Sequence, residues 1–425
     1  MAAHETFAGV PELKLLKAKG GGAATTTVLL GARLGIVSTD TGDGWLKVRA
    51  FGKEGWVRVE DTRSDCATKF FFVDVGQGDA VLVETPTKRF IVDGGKGQNF
   101  AKYLRSYKYK WLLKAGGTIH LDAIFVSHFD TDHFAGLITL IDDSRFTIGT
   151  VFHNGIARFK ETNAQRPAEY DTDLGQTSND ASGHRATLLT TFSTLNQAVG
   201  LRDKGGPGQG GMMATFEKFV TACETAHQQG RLKALKRLTH ASGELNGFGD
   251  LKVEVLGPVP QAGHQNRFDW FEDSSHTRNG HSVVLKITAG SRSILLGGDL
   301  NVQAENHLLA TVGPGPFRVD VAKACHHGSS EFTTTFLKAV SPMMTVISSG
   351  DNQNYGHPQP DTLGAIGKHS RGSRPPVFST ELARSTTASR IHYGLINVRT
   401  DGTQVVGAQM FESRRAGDMW NSFLV

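Results

Sequence analysis

The chain has 425 residues, with 46 lysines and arginines against 41 aspartates and glutamates, a formal net charge of +5 and a pI near 9.0. This length allows about two or three domains with a substantial core, and so small a positive surplus permits an anionic substrate without requiring one. Apolar runs fall well short of the roughly twenty residues that span a bilayer, which excludes a helical membrane protein.

Three cysteines occur, and they are too far apart for a Cys-x-x-Cys metal site or a disulfide framework: Cys66, Cys223 and Cys325. The N-terminal segment MAAHETFAGV lacks the basic and apolar regions of a secretory signal. We therefore expect a soluble, cytoplasmic protein with reduced thiols and no membrane insertion.

Short β-branched and aromatic runs alternate with Gly and Asp-Gly over residues 13–63. This pattern predicts a small β-barrel after an N-terminal tail of residues 1–12. Trp45 and Trp56 make the segment similar to the last strands of bacterial SH3-like (SH3b) modules, in which tryptophans line a peptide groove. The similarity implies a peptide or protein partner, and simple packing inside the barrel is the alternative role for both side chains.

Apolar strands separated by Gly/Asp turns begin near residue 68, in KFFFVDVGQGDAVLVETPTKRFIVDGG. An amphipathic helix is expected in FAKYLRSYKYKWLLKAGG, followed by a buried strand, LDAIFVS, and a second helix, HFAGLITLIDD. Strands that alternate with helices predict an α/β layered domain.

Residues 158–246 interrupt this alternation and are interpreted as an insertion. GGPGQGG within it is expected to be a linker, because no strand precedes it and no Gly-Lys-Ser/Thr follows. A helix is predicted over TFEKFVTACETAHQQGRLKALKRLTHA. Basic residues in the segments 102–114 and 231–237 could face a phosphate backbone, and a solvated helix face is the alternative.

The segment Ser127-His-Phe-Asp-Thr-Asp-His133 carries four potential metal ligands within six positions. It lies between a buried strand and a helix. Two histidines and two aspartates in one loop would repel and desolvate each other without a cation, so the loop predicts a metal site. His128 and Asp130 point the same way in an extended loop, whereas Asp132 and His133 turn toward a second ion at the helix entry.

Further candidates follow later strands, where an α/β fold brings distant segments together. They are His281, Asp299 and one member of the pair His326 and His327. With the four residues of the first loop they make seven ligands, which suits two roughly tetrahedral ions with room for water.

This ordered set resembles the metallo-β-lactamase superfamily, with Asp130 in place of the second histidine of HxHxDH. That replacement, together with four further motifs, is similar to the nuclease-like domain of bacterial DNA-uptake (ComEC) proteins: Asp74-Val-Gly-Gln-Gly-Asp79, Gly298-Asp299-Leu, His326-His-Gly-Ser and Asn354-Tyr-Gly-His357-Pro. The resemblance implies an αββα sandwich hydrolase domain over residues 64–425 and Asp299 as a bridging ligand. His281 fits the lactamase-type pattern, whereas the uptake proteins have Asn-x-x-Ser-x-Val-Leu there.

The resemblance also implies hydrolysis by water activated on two divalent ions, zinc or else manganese. Asp132 or Asp299 is expected to orient the nucleophile, and His357 or the non-ligating histidine of the 326/327 pair to contact developing negative charge. A turn role beside Pro358 is the alternative for His357. Asp74 and Asp79 are expected to support the ligands or form a turn.

The predicted substrate is a phosphodiester, either DNA, RNA or a nucleotide-like ester. Two alternatives remain at this point. One is a cell-envelope phosphoesterase acting on groups such as phosphocholine, and the other is a non-catalytic adaptor whose metal site is structural.

Overall fold

The computed structural model of the chain describes residues 5–38, 42–350, 355–380, 395–415 and 418–424, without the side chains of residues 411–423. Asn354, which belongs to one of the motifs above, lies outside the described residues. Among the described helices, none combines the length and apolar character that crossing a bilayer requires.

Seven short strands near the N-terminus form a curled antiparallel sheet with its own apolar core around Leu15, Leu34 and Val48. They are β1 (Glu5–Ala8), β2 (Glu12–Ala18), β3 (Gly21–Leu29), β4 (Arg33–Ser38), β5 (Trp45–Ala50), β6 (Lys53–Arg58) and β7 (Thr62–Arg63). Their order is β3-β2-β6-β5-β4-β1-β7. The sheet is consistent with the predicted small barrel.

Part of the predicted tail of residues 1–12 belongs to this sheet. Strand β1 pairs with β4 and with β7, and it buries Thr6 and Ala8. A strand of four residues is too short for an alternating pattern to be recognised, which is why the sequence did not predict it.

The two barrel tryptophans differ in exposure. Trp45 is buried, with the guanidinium of Arg58 at 4.4 Å from its ring centroid. Trp56 is half-buried, and the ammonium group of Lys19 lies 4.5 Å from its ring centroid. Packing accounts for Trp45, and the peptide-binding role of an SH3b module stays a prediction.

The first half of the larger domain contributes β8 (Thr68–Phe72), β9 (Val81–Glu84), β10 (Arg89–Val92), β11 (Ile119–Phe125) and β12 (Phe146–His153), with α1 (Asn99–Lys102), α2 (Lys110–Lys114) and α3 (Thr131–Asp142). A π-helical turn, Tyr103–Lys108, connects α1 to α2 within the predicted helix. Strands β10, β11 and β12 are parallel neighbours, so their carboxyl ends meet at one edge of the sheet.

The predicted insertion is partly built into this sheet. It contains β13 (Thr177–Asn179), β14 (Arg185–Leu188), α4 (Leu195–Arg202), α5 (Ala214–Gln228) and β15 (Leu232–Arg237). The long helix predicted here is therefore wrong beyond residue 228, since β15 pairs in parallel with β12. Gly230, with a φ of 71°, follows the end of α5 in the left-handed conformation that terminates helices.

The two basic segments combine arginines and a lysine that are engaged in internal contacts with lysines that are exposed. Arg231 donates to the carbonyl of Ile141, and Arg237 donates to Thr191 and Asn266. In the first segment, Arg105 pairs with Asp143 and Lys108 with Glu84. Lys102, Lys114, Lys233 and Lys236 are exposed, so the phosphate-facing surface stays a prediction, with a solvated face as the alternative.

The second half supplies β16 (Glu244–Leu245), β17 (Leu251–Gly257), β18 (Phe268–Asp269), β19 (Val284–Ala289), β20 (Arg292–Leu296), β21 (Val321–Lys323), β22 (Met344–Ile347) and β23 (Val377–Ser379), with α6 (Ser274–Gly280), α7 (Val302–Thr311), α8 (Thr334–Val340) and α9 (Pro360–His369). A second sheet runs β16-β17-β19-β20-β21-β22-β23, and β13-β14-β18 form a small third sheet. Strands β20 to β23 are parallel neighbours.

The chain returns to the first sheet with β24 (Ile396–Thr400), β25 (Val405–Arg415) and β26 (Asp418–Leu424). Strands β24 and β25 form the hairpin that Asp401-Gly402 predicts, and the Asp401 carboxylate accepts the backbone amides of Thr403 and Gln404. The completed first sheet runs β15-β12-β11-β10-β9-β8-β24-β25-β26.

Four layers result, as predicted for an αββα sandwich. Apolar side chains such as Phe72, Phe90, Leu285 and Val346 fill the space between the two sheets. Helices α1 to α5 cover the outer face of the first sheet, and α7 and α8 cover that of the second. The domain is a mixed α/β metallo-β-lactamase fold with a small curled sheet before it.

Arg399 connects the two parts of the chain. Its buried guanidinium donates to the carbonyls of Leu29, at 3.2 Å, and Leu30, at 2.7 Å. Leu30 also packs with Ala67 and Val406 in a small apolar cluster. The barrel is thus docked against the end of the sandwich where β8 begins.

Glu305 on α7 makes the stability of this fold depend on pH. Burial raises the pKa of its carboxyl from 4.5 to about 8, although hydrogen bonds from Thr333 act in the opposite direction. A carboxyl with a raised pKa binds its proton more tightly when folded, so the free energy of unfolding falls as pH rises from 4.5 toward 8.

Replacing Glu305 by Gln is expected to flatten that dependence. Relative to the unmodified protein, the variant should gain about 2–4 kcal/mol between pH 5 and pH 8, because each pKa unit corresponds to about 1.4 kcal/mol. Urea unfolding at both pH values measures the difference. If the free energy of unfolding of both proteins changed in parallel with pH, the pKa of the Glu305 carboxyl would not be raised by folding.

Candidate metal centre

The chemistry-bearing residues gather where the carboxyl ends of the two sheets meet. Loops after β8, β10 and β11 approach from the first sheet, and loops after β20, β21 and β22 from the second. Parallel strands place such loops at one edge, which is where open α/β sheets bind ligands. The fold therefore brings together residues that are almost 200 positions apart, such as His133 and His327.

Three of the predicted ligands converge on one point. Asp299 Oδ2 lies 3.1 Å from His133 Nε2 and 3.1 Å from His327 Nε2, and the two imidazole nitrogens are 3.3 Å apart. Asp132 Oδ2 is 3.5 Å from His327 Nε2, and Gln77 Nε2 donates to it at 3.3 Å. All four ligand groups are at least four-fifths buried.

This set fits a divalent ion. Ligands at about 2.0–2.1 Å from a tetrahedral zinc lie about 3.3 Å from one another, close to the separations seen here. The outer nitrogens of both histidines are engaged, since His133 Nδ1 donates to Asp93 Oδ2 at 2.8 Å and His327 Nδ1 to the carbonyl of Ser348 at 2.9 Å. Each Nε2 lone pair is thereby directed at the shared point.

The backbone is strained around these ligands. His326 and His327 both have left-handed conformations, with φ of 47° and 55°, and Asp93 has a φ of 57°. Such conformations cost about 1–3 kcal/mol each and persist where the surroundings determine them. In His327 the strain accompanies an imidazole aimed into the cluster.

Two further buried charges stand behind the histidines. Lys323 Nζ lies 2.5 Å from Asp79 Oδ2 and 3.6 Å from Asp299 Oδ1, and it donates to the carbonyl of Gly298 at 2.9 Å. Burial would lower the pKa of Lys323, but Asp79 and Asp299 raise it above its ordinary value. The lysine offsets part of the negative charge gathered there.

Asp79 approaches the cluster from the far side of the rings. Ligand atoms of Asp79, His133, Asp299 and His327 lie within 4.8 Å of one another, so this group also could hold an ion. Asp79 faces the Nδ1 atoms, however, at 3.5 Å from His327 and 3.9 Å from His133. Those atoms already have acceptors, and Asp132 faces Nε2, which favours Asp132 as the fourth ligand. Asp74 accepts the amide of Gly76 and forms the turn.

The charges of the cluster favour a cation at the shared point. Burial by itself would lower the pKa values of His133 and His327, but Asp299 and its neighbours raise both well above the ordinary value. The pKa of Asp299 is held well below its ordinary range despite burial, because the two imidazolium groups stabilise the carboxylate. Because the Asp299 carboxylate favours positive charge at both imidazoles, it would also favour a divalent ion at the shared point.

The other predicted ligands of the first loop form a looser group. His128 Nε2 lies 3.8 Å from Asp130 Oδ2 and 3.9 Å from Asp299 Oδ2, and it has no hydrogen-bond partner. Burial lowers the pKa of His128 to about 3, so its imidazole is neutral. Asp130 is engaged elsewhere, since Arg158 Nη1 donates to its Oδ1 at 2.6 Å and Arg278 also pairs with it. These separations do not form a second compact ligand set.

The structure does not bring His281 to the centre. Its Nε2 donates to the carbonyl of Asp269 at 2.8 Å, and its ring stacks on Phe271 at 4.5 Å and packs beside Phe268 at 4.7 Å. His281 is therefore a core histidine. The pattern Gly-His-Ser predicted it as a ligand, but Asn279, two residues earlier, lines the cavity instead.

His326 and His357 lie at the rim instead of in the cluster. His326 Nδ1 is 3.4 Å from Glu331 Oε2, and of the pair it is His327 that faces the ligands. The His357 ring packs 5.8 Å from His326 and 6.3 Å from His327. Burial, with the neighbouring histidines, lowers the pKa of His357 to about 4, so it is neutral near pH 7.

A cavity of about 320 Å³ opens onto the centre. Asp132, Asp299 and His327 line it together with Arg278 and Tyr355. Tyr355 is 64% exposed and its ring stacks on His357 at 5.7 Å with 21° between the planes. The cavity therefore combines acidic and imidazole groups with one guanidinium and one aromatic face.

Sequence reasoning missed Asp93, Lys323 and Arg158. Two of them carried a signal. Asp93 ends the strand of RFIVDGG much as Asp299 ends SILLGGD, and Lys323 is a charge inside the otherwise apolar run VAKAC. Arg158 carried none, because a single arginine at the start of an irregular segment is ordinary.

Residues 73–184 match the sequence profile of the metallo-beta-lactamase superfamily. ComE operon protein 3 of Bacillus subtilis is 35% identical over 129 residues, which is 30% of this chain and 15% of that protein. Recombination protein 2 of Haemophilus influenzae is 37% identical over 178 residues, which is 42% of this chain and 17% of that protein. The chain thus spans less than a fifth of the length of these relatives.

Among solved structures, a metal-dependent hydrolase of the beta-lactamase superfamily aligns with 73% of this chain and 95% of its own, at 12% identity and a TM-score of 0.35. A diphosphatase from the PhnP family aligns with 73% and 94%, at 11% identity and a TM-score of 0.32. These values are too low to support a substrate.

Proposed function

Because this chain contains a metallo-beta-lactamase superfamily domain, we propose that it is a metal-dependent hydrolase of phosphodiesters, acting on nucleic acid or a nucleotide ester. The observation that carries the proposal is the convergence of Asp132, His133, Asp299 and His327 beside an open cavity that three of them line. Relatives named for competence and recombination support nucleic acid as the substrate class.

Asp132, His133, Asp299 and His327 would hold the ion. A divalent ion in such a set supplies Lewis acidity and activates water near neutral pH. Asp132, which lines the cavity, would orient the attacking water and accept its proton. Lys323 and Asp93 would keep the ligands in place. His357, which is neutral, and His326 lie where they can donate hydrogen bonds to a phosphate oxygen.

The test is a hydrolysis screen of the metal-loaded chain, with Zn²⁺ and with Mn²⁺. Substrates are single- and double-stranded DNA, RNA, cyclic nucleotides and bis(p-nitrophenyl) phosphate, and the Asp132→Ala variant shows which turnover belongs to the centre. Hydrolysis that the variant lacks supports the proposal. Intact substrates throughout, with metal bound, would refute it.

Tyr355 supports a substrate that carries a base. An exposed aromatic face at the mouth of the cavity is suited to base stacking, which contributes about 1–3 kcal/mol per base. We expect Tyr355→Ala to raise KM roughly tenfold for the p-nitrophenyl ester of thymidine 5′-monophosphate but not for methyl p-nitrophenyl phosphate. Both esters share the leaving group, so the difference isolates the nucleoside.

Tyr355→Phe is the matched control, because it keeps the ring and removes only the hydroxyl. It should retain the KM of the unmodified chain for both esters. Equal losses for both esters in Tyr355→Ala would mean that the ring shapes the cavity instead of contacting a base.

A further inference from the structure

We propose that the centre carries a single metal ion and that two arginines take the place of a second one, with the Arg278 guanidinium binding the phosphate of the substrate. The role of Arg278 toward phosphate depends on the proposed function, whereas the number of ions does not. The inference departs from the seven-ligand, two-ion site that the sequence predicts.

The first observation concerns Asp130, which a second ion would need as a ligand. Both Arg158 and Arg278 pair with its Oδ1, and Arg158 also donates to the carbonyl of Phe129 at 2.9 Å. The side chains of the two arginines are only 9% and 13% exposed. Both contacts fall on Oδ1, whereas Oδ2 faces His128 Nε2 at 3.8 Å. A divalent ion held by Oδ2 and His128 would therefore lie beside two guanidinium groups that repel it.

The second observation is a matching carboxylate on the other side of the arginines. Asp173 Oδ2 lies 3.7 Å from Arg158 and 3.7 Å from Arg278, which completes a group of two acids and two bases. Because this group is balanced in charge, it is stable as it stands. His128 Nε2, which has no hydrogen-bond partner, lies 3.8 Å from Asp130 Oδ2 and 3.9 Å from Asp299 Oδ2, farther than the 3.1 Å that separates Asp299 from His133 and His327. This wider group, beside two cations, is a weak site for a divalent ion.

The insertion gains a role from this arrangement. Arg158 and Asp173 both lie within residues 158–246, and the segment that contains them folds back over the first metal-binding loop. The insertion thus supplies the parts that hold Asp130 and position Arg278.

Arg278 is placed to act on a substrate. It lines the cavity together with Asp132, Asp299 and Asn279, and the pairs with Asp130 and Asp173 orient its guanidinium. A planar guanidinium fixed in this way binds two phosphate oxygens and stabilises the charge that develops there. The arginine then supplies, without a second ion, the positive charge opposite the bound metal.

The test is a metal titration without substrate, by calorimetry and by metal analysis after gel filtration. The unmodified chain should bind one equivalent of Zn²⁺ or Mn²⁺, and Arg278→Gln should bind a second, because Asp130 is released from half of its pairing. In the hydrolysis assay, kcat/KM of Arg278→Gln should fall about 100-fold, as for loss of one charge-stabilising donor, and Arg278→Lys should recover part of it.

Two further variants complete the design. Asp173→Asn removes the carboxylate that balances the two guanidiniums without touching any group that faces the ion. Because the positive charge beside Asp130 then increases, this variant should still bind only one equivalent. Arg185→Ala removes an exposed Arg–Asp pair of the insertion, with Asp171 at 3.0 Å, and should change neither quantity. Two tightly bound ions in the unmodified chain, or one ion and full activity in Arg278→Gln, would overturn the inference. A chain that binds one ion but cleaves no phosphodiester would refute the substrate and leave the single-ion assignment standing.

Discussion

Replacing Asp299 by Asn is expected to abolish metal retention and reduce hydrolysis to background. The carboxylate lies 3.1 Å from both Nε2 atoms, so it is the ligand that every other group in the cluster shares. Loss of a residue that merely supports a ligand typically costs about 10–100-fold in metal affinity, and loss of the shared ligand should cost more. Metal content after dialysis and calorimetric titration measure the effect.

Asp250→Asn is the matched control, since Asp250 is an exposed carboxylate in a turn and its loss changes the net charge equally. It should bind metal as the unmodified chain does. Full metal retention in Asp299→Asn would mean that the ion binds elsewhere, for example on the Asp79 side.

The second large effect is expected from Gly78→Ala. A Cβ at this position would lie 1.8 Å from the carbonyl oxygen of Asp132 and 2.7 Å from its carbonyl carbon, and the φ of +114° is unfavourable for any L side chain. The clash and strain together should lower the free energy of unfolding by about 2–5 kcal/mol. Because the loop must move away from Asp132, metal affinity should fall as well.

Gly76→Ala serves as the control from the same loop. Its φ of +81° is also left-handed, but nothing lies within 4 Å of a Cβ there. We expect a cost of about 1–2 kcal/mol from the backbone alone, with metal affinity unchanged. Denaturant unfolding and metal titration of the two variants separate backbone strain from the close approach to Asp132. Equal effects in the two variants would mean that this close approach contributes nothing.

Periodicity predicted the layers of the fold well, because long apolar strands and amphipathic helices leave clear patterns. It failed where the pattern was short or changed without a break. Strand β1 has four residues, and β15 follows α5 after a single turn at Gly230, so the chain looked helical throughout. In β15, pairing with β12 overrides the helical preference of Leu, Lys and Ala.

Four ligands of the centre could be predicted because each follows a strand in a polar motif, as Asp132, His133, Asp299 and His327 do. Their partners could not. The choice between His326 and His327 depends on two left-handed residues, and the fate of Asp130 depends on arginines 28 and 148 positions away in sequence. Spacing along the chain carries no information about such contacts between residues that are distant in sequence.

The docking through Arg399 bears on how a long substrate could reach the cleft. Arg399, on β24, pairs with Lys69 next to Thr68, the first residue of β8. The first loop of the metal centre follows the other end of β8, at residue 73. Five residues of strand separate the two ends by about 16 Å. The N-terminal module therefore leaves the entrance uncovered, and a polymer held by it would have to run along the flank of the sandwich before entering.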